Sequence, residues 1–186
     1  MTQNKTRLMQ SDEIEKVIND LSNKIYQDLD DIKRCAIVGI QTRGVELGRR
    51  IRENLEKLSG EPVKSGTMDI TFYRDDLATR GVLPVLKETK IDFNITNMDV
   101  IMVDDVIFTG RTTKAALETL TAFGRPRSIR LFVLVDRGNR EMPIQPDYCG
   151  FAVKTRIDDI IKVRLQEIDN EEDGVFLCKP GSDECQ

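Results

Sequence analysis

Apolar residues along the chain recur with two different periods. Ile14, Val17, Ile18, Leu21, Ile25, Leu29 and Ile32 stand three or four positions apart, which predicts an amphipathic helix from about residue 11 to 32. Ser11 is placed to cap its start, and Asp12 and Glu13 suit the positive end of the helix dipole. "CAIVGIQ" (35–41) is an unbroken apolar run closed by Thr42-Arg43-Gly44, the pattern of a buried strand. "VELGRRIRENLEKL" returns to helical spacing, with Val45, Leu47, Ile51, Leu55 and Leu58 for its inner side. Residues 63–73 alternate like a strand, with a weak point at Gly66. "VIMVDD" (100–105) is a second buried strand, and "RTTKAALETLTAFG" (111–124) a helix ended by Gly124 with Pro126 just beyond. Residues 128–138 predict a further strand, 139–153 a turn-rich excursion, and "DIIKVRLQEID" (159–169) a last alternating strand. Residues 74–98 show no clear period, which in a compact domain marks a functional or mobile excursion. Residues 174–186 are expected to fray.

Three alternations of strand and helix predict an α/β protein with a central, mostly parallel sheet covered by helices on both faces. In such sheets ligands bind beyond the carboxyl ends of the strands. Thr42-Arg43-Gly44, Asp104-Asp105 and Asp136-Arg137 all fall at such ends.

The length of 186 residues fits a single domain over 1–186. No apolar run reaches the ~18–20 residues that cross a bilayer, and "MTQNKTRLMQSDEIEK" has no apolar core of a secretory signal. A cytoplasmic protein without membrane partners is expected. There is no histidine, which removes His-based triads and most transition-metal sites. Cys35, inside an apolar run, is expected to be a small buried hydrophobe. Cys178 and Cys185 show no metal or disulfide spacing and are expected to have neither role. The net charge of −4 argues against indiscriminate binding to nucleic acid, although a sum conceals local patches.

The chemistry concentrates in "VIMVDDVIFTGRTT" (100–113). Adjacent carboxylates at the end of a buried strand repel each other and lose hydration. A vicinal diol or a hydrated Mg²⁺ would hold them; solvated loop residues are the alternative. Four residues after Asp105, Thr109-Gly110 opens a helix, whose free N–H groups and dipole attract an anion. The hydroxyls of Thr109, Thr112 and Thr113 add donors, while a plain helix start capped by Thr109 accounts for the same residues. A diol clamp followed by a phosphate cradle describes a binder of ribose 5-phosphate. The stretch is neither a GxxxxGK[ST] loop nor a GxGxxG loop.

This stretch resembles the phosphoribosyl pyrophosphate (PRPP) signature of type I phosphoribosyltransferases: four apolar residues, two acids, then Thr-Gly. "VGIQTRGVELGRRI", "DITFYRDDL", "GRPRSIRLFVLVDRGNREMPIQPDYCG" and "VRLQEID" extend the resemblance over roughly residues 10–170. Together they are similar to the bifunctional family of pyrimidine operon attenuation regulators and uracil phosphoribosyltransferases, PyrR. The resemblance implies the type I phosphoribosyltransferase fold with a small hood, and conversion of uracil and PRPP to UMP and pyrophosphate with Mg²⁺. It also implies a homo-oligomer, a dimer or larger. Asp104 and Asp105 would hold the ribose hydroxyls. Val106, Ile107, Phe108, Thr109, Gly110, Arg111 and Thr112 would line the 5-phosphate loop. Thr42, Arg43 and Gly44 would form the pyrophosphate loop, with Arg43, Asp104 and Asp105 the catalytic set. Arg74 would reach PRPP from a lid at 74–90, and a hood at 137–155 would bring Arg137 and Arg140 to the base. For Arg74 and Arg140 a solvated surface cation is the plain alternative. No direct protein ligand to the metal is implied; Mg²⁺ would come with PRPP, near Asp104 and Asp105.

Three features qualify the resemblance. In related 6-oxopurine enzymes an aspartate precedes Thr-Gly and serves the purine ring; Phe108 stands there in this chain, which favours uracil over hypoxanthine or guanine. Family members also bind leader mRNA of pyrimidine genes through a basic dimer surface that includes the N-terminal helix. Residues 11–34 carry seven acids against four bases, position 139 is asparagine where family members often have histidine, and the segment from Glu167 is acidic. The alternatives are therefore a nucleotide-sensing mRNA regulator without catalysis and a purine-type phosphoribosyltransferase.

Overall fold

The computed structural model describes residues 5–70 and 89–180. Arg74 and the lid expected at 74–90 therefore lie outside the described residues, apart from its last two positions. Lys5–Met9 forms β1, Ser11–Asp28 α1, Cys35–Ile40 β2, Arg43–Ser59 α2, Lys64–Met68 β3, Asp99–Ile107 β4, Arg111–Thr121 α3 and Ser128–Asp136 β5. Tyr148–Ala152 (β6), Ile160–Arg164 (β7), the short helix Gln166–Asp169 (α4) and Gly174–Cys178 (β8) complete the order.

Five strands make one parallel sheet in the order β3-β2-β4-β5-β6. Its central strands are buried on both faces, as the continuous apolar runs predict. Alternate residues face opposite sides. Ile37, Ile101, Val103, Phe132 and Leu134 meet Ile14, Ile18 and Ile25 of α1 and Leu47, Ile51 and Leu55 of α2. Ala36, Val38, Val100, Met102, Leu131 and Val133 meet Ala116 and Leu120 of α3, with Ile95 and Met98. A second, antiparallel sheet in the order β1-β8-β7 packs Ile161, Val163 and Val175 onto the cluster beneath α1 and α2.

Several expectations are corrected. Residues 174–178 are not a frayed tail but the central strand of the second sheet. Residues 148–152, assigned to a turn-rich excursion, pair with β5 as the edge of the main sheet. α1 ends at Asp28, and its N-cap is Gln10, whose amide donates to Glu13 Oε2 at 2.8 Å. Leu58, expected on the inner side of α2, is exposed. Cys178 is disulfide-bonded, against the expectation of no such role. Cys35 is buried as expected; burial, with a smaller contribution from Asp99, pushes its thiol up to about 12. Among the described residues no helix is long and apolar enough to cross a membrane.

Asp99 opens β4 at 2 % exposure, opposite Ser128 of β5. Arg127 brackets it, Nε at 2.9 Å from Oδ1 and Nη2 at 2.5 Å from Oδ2, and Ser128 Oγ donates at 2.6 Å. Burial alone would raise the Asp99 pKa, but these hydrogen bonds outweigh it and hold the carboxyl below the ordinary 3.8. A depressed folded-state pKa means the stabilisation is present above the unfolded pKa and is lost as pH falls through the folded one. Asp99→Asn is expected to cost about 2 kcal/mol at neutral pH in urea unfolding. The gap from the parent protein should narrow as pH falls below 3.8; a gap independent of pH would contradict the assignment.

Candidate active site

The parallel register brings the ends of β2, β4 and β5 to one edge: Gly39 pairs with Val103, and Ile107 with Asp136. Asp104 and Asp105 lie within β4, which continues past them to Ile107, rather than at the mouth of the strand. A hydrogen bond from the following backbone amide to each carboxylate offsets part of their mutual repulsion. Asp104 Oδ1 accepts the Asp105 amide at 2.9 Å, and Asp105 Oδ1 accepts the Val106 amide at 3.0 Å. Asp104 is buried and Asp105 half-buried.

Beyond Ile107 and Phe108 the chain turns sharply into α3. Gly110 takes φ 90°, a left-handed conformation that favours glycine, and serves as the N-cap in place of Thr109. Thr109 is buried, its Oγ1 accepting the Arg111 amide at 3.2 Å. The first turn of α3, with Arg111, Thr112 and Thr113, thus presents amides beside the aspartates, the arrangement for an anion.

Thr42, Arg43 and Gly44 start α2 against the same edge, after a cis peptide between Gln41 and Thr42. A Cβ on Gly44 would stand 2.3 Å from the Val103 carbonyl oxygen, so only glycine lets this loop touch β4. The Arg43 guanidinium pairs with Asp169, Nη2 to Oδ1 at 2.6 Å and Nε to Oδ2 at 3.3 Å.

The two arginines expected at the base, Arg137 and Arg140, are both held by protein groups. Arg137 is buried, with its guanidinium 3.9 Å from the centre of the Phe108 ring, an aromatic–cation stack. Its Nε donates to Thr155 Oγ1 at 3.0 Å and its Nη2 to the Arg156 carbonyl at 2.8 Å. Arg140 donates Nε to the Ile144 carbonyl at 2.9 Å, Nη1 to the Phe108 carbonyl at 2.9 Å and Nη2 to Asp136 Oδ2 at 2.6 Å. These donors engage protein groups on three segments, so Arg140 staples the loops together. Around it the Glu141 and Met142 amides donate to the Thr109 carbonyl at 2.9 and 3.0 Å. Arg111 bonds Glu141 at 2.7 Å through Nε. The phosphate loop and segment 138–144 therefore form one unit.

The sequence places Asp136 at the ligand edge but does not reveal its bond to Arg140, and it does not single out Glu141 or Asp169. Asp136 and Arg140 stand at i and i+4, a signal that was available; Asp169 is 126 residues from Arg43 and carried none.

For Mg²⁺ the donor set is two carboxylates at the site, Asp104 and Asp105, and no cluster of three acidic or thiol groups occurs among the described residues. That suits a cation held largely by water and ligand phosphates, with at most one or two carboxylates.

A separate basic depression of about 450 Å³ lies at the opposite, amino ends of the strands, lined by Lys33, Arg34, Lys64 and Arg127. Lys33 pairs with Glu61, Arg34 with Asp31, and Arg127 with Asp99 and Asp30. Three of these four cations are thus already paired with carboxylates, which argues against a second anion cradle here.

Arg140→Met is expected to weaken both halves of the site together. Michaelis constants for the sugar phosphate and for the base should each rise about tenfold, the scale of one lost charge-assisted hydrogen bond. A rise confined to the base would show that Arg140 acts as a direct ligand.

A family model described as a phosphoribosyl transferase domain matches residues 5–172. The bifunctional protein PyrR of Caldicellulosiruptor bescii is 44 % identical over 164 residues, 88 % of this chain and 90 % of that protein. The bifunctional protein PyrR of Clostridioides difficile is 45 % identical over 168 residues, 90 % and 95 % of the two chains. A hypoxanthine phosphoribosyltransferase from Staphylococcus aureus superposes with a TM-score of 0.70 at 19 % identity, over 94 % of this chain and 93 % of that one. That last likeness is one of fold: the type I phosphoribosyltransferase sheet with its hood. With a family model spanning nearly the whole chain and relatives at this identity, the chain belongs to the PyrR family of phosphoribosyltransferases.

Proposed function

We infer that the protein joins uracil to PRPP, releasing pyrophosphate and forming UMP, and that it regulates pyrimidine genes through leader mRNA. The carrying observation is the composite edge. Two aspartates on β4, the amide-rich start of α3 and the Thr42-Arg43-Gly44 loop converge on one edge of the sheet, with Phe108 stacked on Arg137 beside them. Asp104 and Asp105 hold the ribose hydroxyls, and the amides and hydroxyls from Thr109 to Thr112 hold the 5-phosphate. The amides of the Thr42–Gly44 loop and the Arg43 cation receive the pyrophosphate. Mg²⁺ bound with PRPP supplies neutralisation of the departing pyrophosphate charge.

Catalysis by these residues is positional and electrostatic. Loss of pyrophosphate leaves oxocarbenium-like positive charge at the anomeric carbon, which the Asp104 and Asp105 carboxylates stabilise while uracil N1 attacks. The Phe108 ring, flattened under Arg137, offers an apolar wall to a pyrimidine and no acceptor for a purine ring nitrogen. That argues against the purine alternative.

The acids from Glu167 to Asp173 do not oppose RNA as a free acidic tail. Glu167 and Asp173 bond Arg50, and Asp169 bonds Arg43. Exposed Asp12, Glu13, Glu15 and Asp20 leave α1 poorly suited to phosphate contacts, which favours RNA contact through other surfaces.

With PRPP and Mg²⁺, the protein is expected to convert uracil to UMP and to leave hypoxanthine and guanine unchanged. Asp105→Asn should lower kcat/KM for PRPP by roughly 10- to 100-fold without moving the thermal midpoint. Unchanged kinetics would remove the diol assignment. UMP should tighten binding to a pyrimidine-operon leader RNA in a gel-shift titration. Weak, salt-sensitive binding indifferent to UMP would remove the regulatory role.

A further inference from the structure

The cation assigned to the departing pyrophosphate is already occupied. Arg43 and Asp169 form a two-point ion pair with side chains 25 % and 11 % exposed, so water screens it little. Asp169 is the fixed partner. It ends α4, and its Oδ2 also accepts the Leu165 amide at 2.9 Å, which ties the carboxylate to its own turn. Arg43 sits at the first residue of α2 on a long side chain, and is the partner able to leave.

The surroundings favour an exchange of anions. Burial would raise the Asp169 pKa, yet the Arg43 hydrogen bond and the Leu165 amide hold it low, so the carboxylate stays charged. Lys162 on β7 has its pKa pushed down by burial and then by Arg164, Arg43 and Lys5. This corner of the site therefore gathers Lys5, Arg43, Lys162 and Arg164 against two carboxylates, Asp169 and Glu171, an excess of positive charge to which a further anion is drawn. The neighbouring pairs are differently built. Arg50 is held by both Glu167 and Asp173, and burial of Glu167 is outweighed by Arg50, which brings its carboxyl to about 2.

We propose that Asp169 is a latch for Arg43: it holds the guanidinium in the ligand-free protein, competes with pyrophosphate for it, and thereby sets how readily pyrophosphate binds and leaves. The proposal rests on the assignment of Arg43 to the pyrophosphate loop. Asp169 touches neither substrate nor reacting atoms, and is a positioning residue. Through it the segment carrying β7, α4 and β8 senses whether the pyrophosphate end of the site is filled. A latch of this kind gives up some PRPP affinity and in return hastens release of the product.

Asp169→Asn tests this, since asparagine keeps an oxygen for the Leu165 amide and removes the charge. The KM for PRPP and the product-inhibition constant of pyrophosphate should both fall about tenfold, the scale of one charge-assisted hydrogen bond. The KM for uracil should be unmoved. In an Arg43→Gln background the same substitution should change nothing further. If Asp169→Asn instead raises the PRPP KM, or leaves pyrophosphate inhibition where it was, the latch is wrong while Arg43 keeps its role. If Arg43→Gln itself leaves pyrophosphate inhibition unchanged, the assignment of Arg43 falls and the latch with it. A measurement on the unaltered protein guards against a variant that fails to fold. The Arg43 Nε–H resonance, assigned by its loss in Arg43→Gln, should be protected from exchange in the free protein and shift when Mg²⁺ and pyrophosphate are added. A resonance unaffected by pyrophosphate would overturn the proposal.

Discussion

The register of β4 between β2 and β5 is the constraint on which the rest of the structure depends. Both pairings are parallel and continuous, from Cys35 opposite Asp99 to Ile107 opposite Asp136. Because parallel strands end together, three separate loops arrive at one edge: the start of α2, the start of α3 and the segment after Asp136. A one-residue slip would turn Asp104 to the other face and move the Val103 carbonyl against which Gly44 packs. Asp99, clamped by Arg127 and Ser128 at the far end of the strand, pins that register. A buried ion pair at the amino end of the sheet thus helps to align a ligand site at the carboxyl end.

Around this edge, charge is matched locally rather than on balance. Net charge and acid counts suggested an acidic carboxyl-terminal segment that would repel anions. In the fold its carboxylates meet arginines of α2 and β7: Asp169 with Arg43, Glu167 with Arg49 and Arg50, Asp173 with Arg50, Glu171 with Arg164. These pairs fasten the second sheet to α2. They also place one carboxylate where it competes with the leaving group. Arg140 shows the same economy of function on the base side, where a cation expected to face the ligand binds two loops together.

How much of this was legible in the sequence follows from the distance over which each feature is specified. β2, β4, β5, α2 and α3 are written in continuous apolar runs and helical periods, and the Asp104-Asp105 to Thr112 stretch lies within nine residues, so its chemistry can be read locally. The position of Phe108 is equally local. β1, β6 and β8 are five-residue strands too short to show a clear period; β6 lies in a turn-rich stretch beside β5, and β1 pairs with β8 across almost the whole chain. Arg43 with Asp169 is hidden for the same reason. The stapling by Arg140 is hidden for another: its charge and loop position are those of a ligand contact, and only the fold brings the carbonyls of Phe108 and Ile144 to its donors.

The central claim is that the three loops form a single nucleotide site. A crystal structure of the protein with UMP tests it most directly. The ribose hydroxyls should lie on Asp104 and Asp105 and the phosphate among the amides of Thr109 to Thr112. The uracil should lie against Phe108 beneath Arg137. UMP bound away from the carboxyl edge of β4, or at that edge with its phosphate outside the α3 loop, would contradict the account.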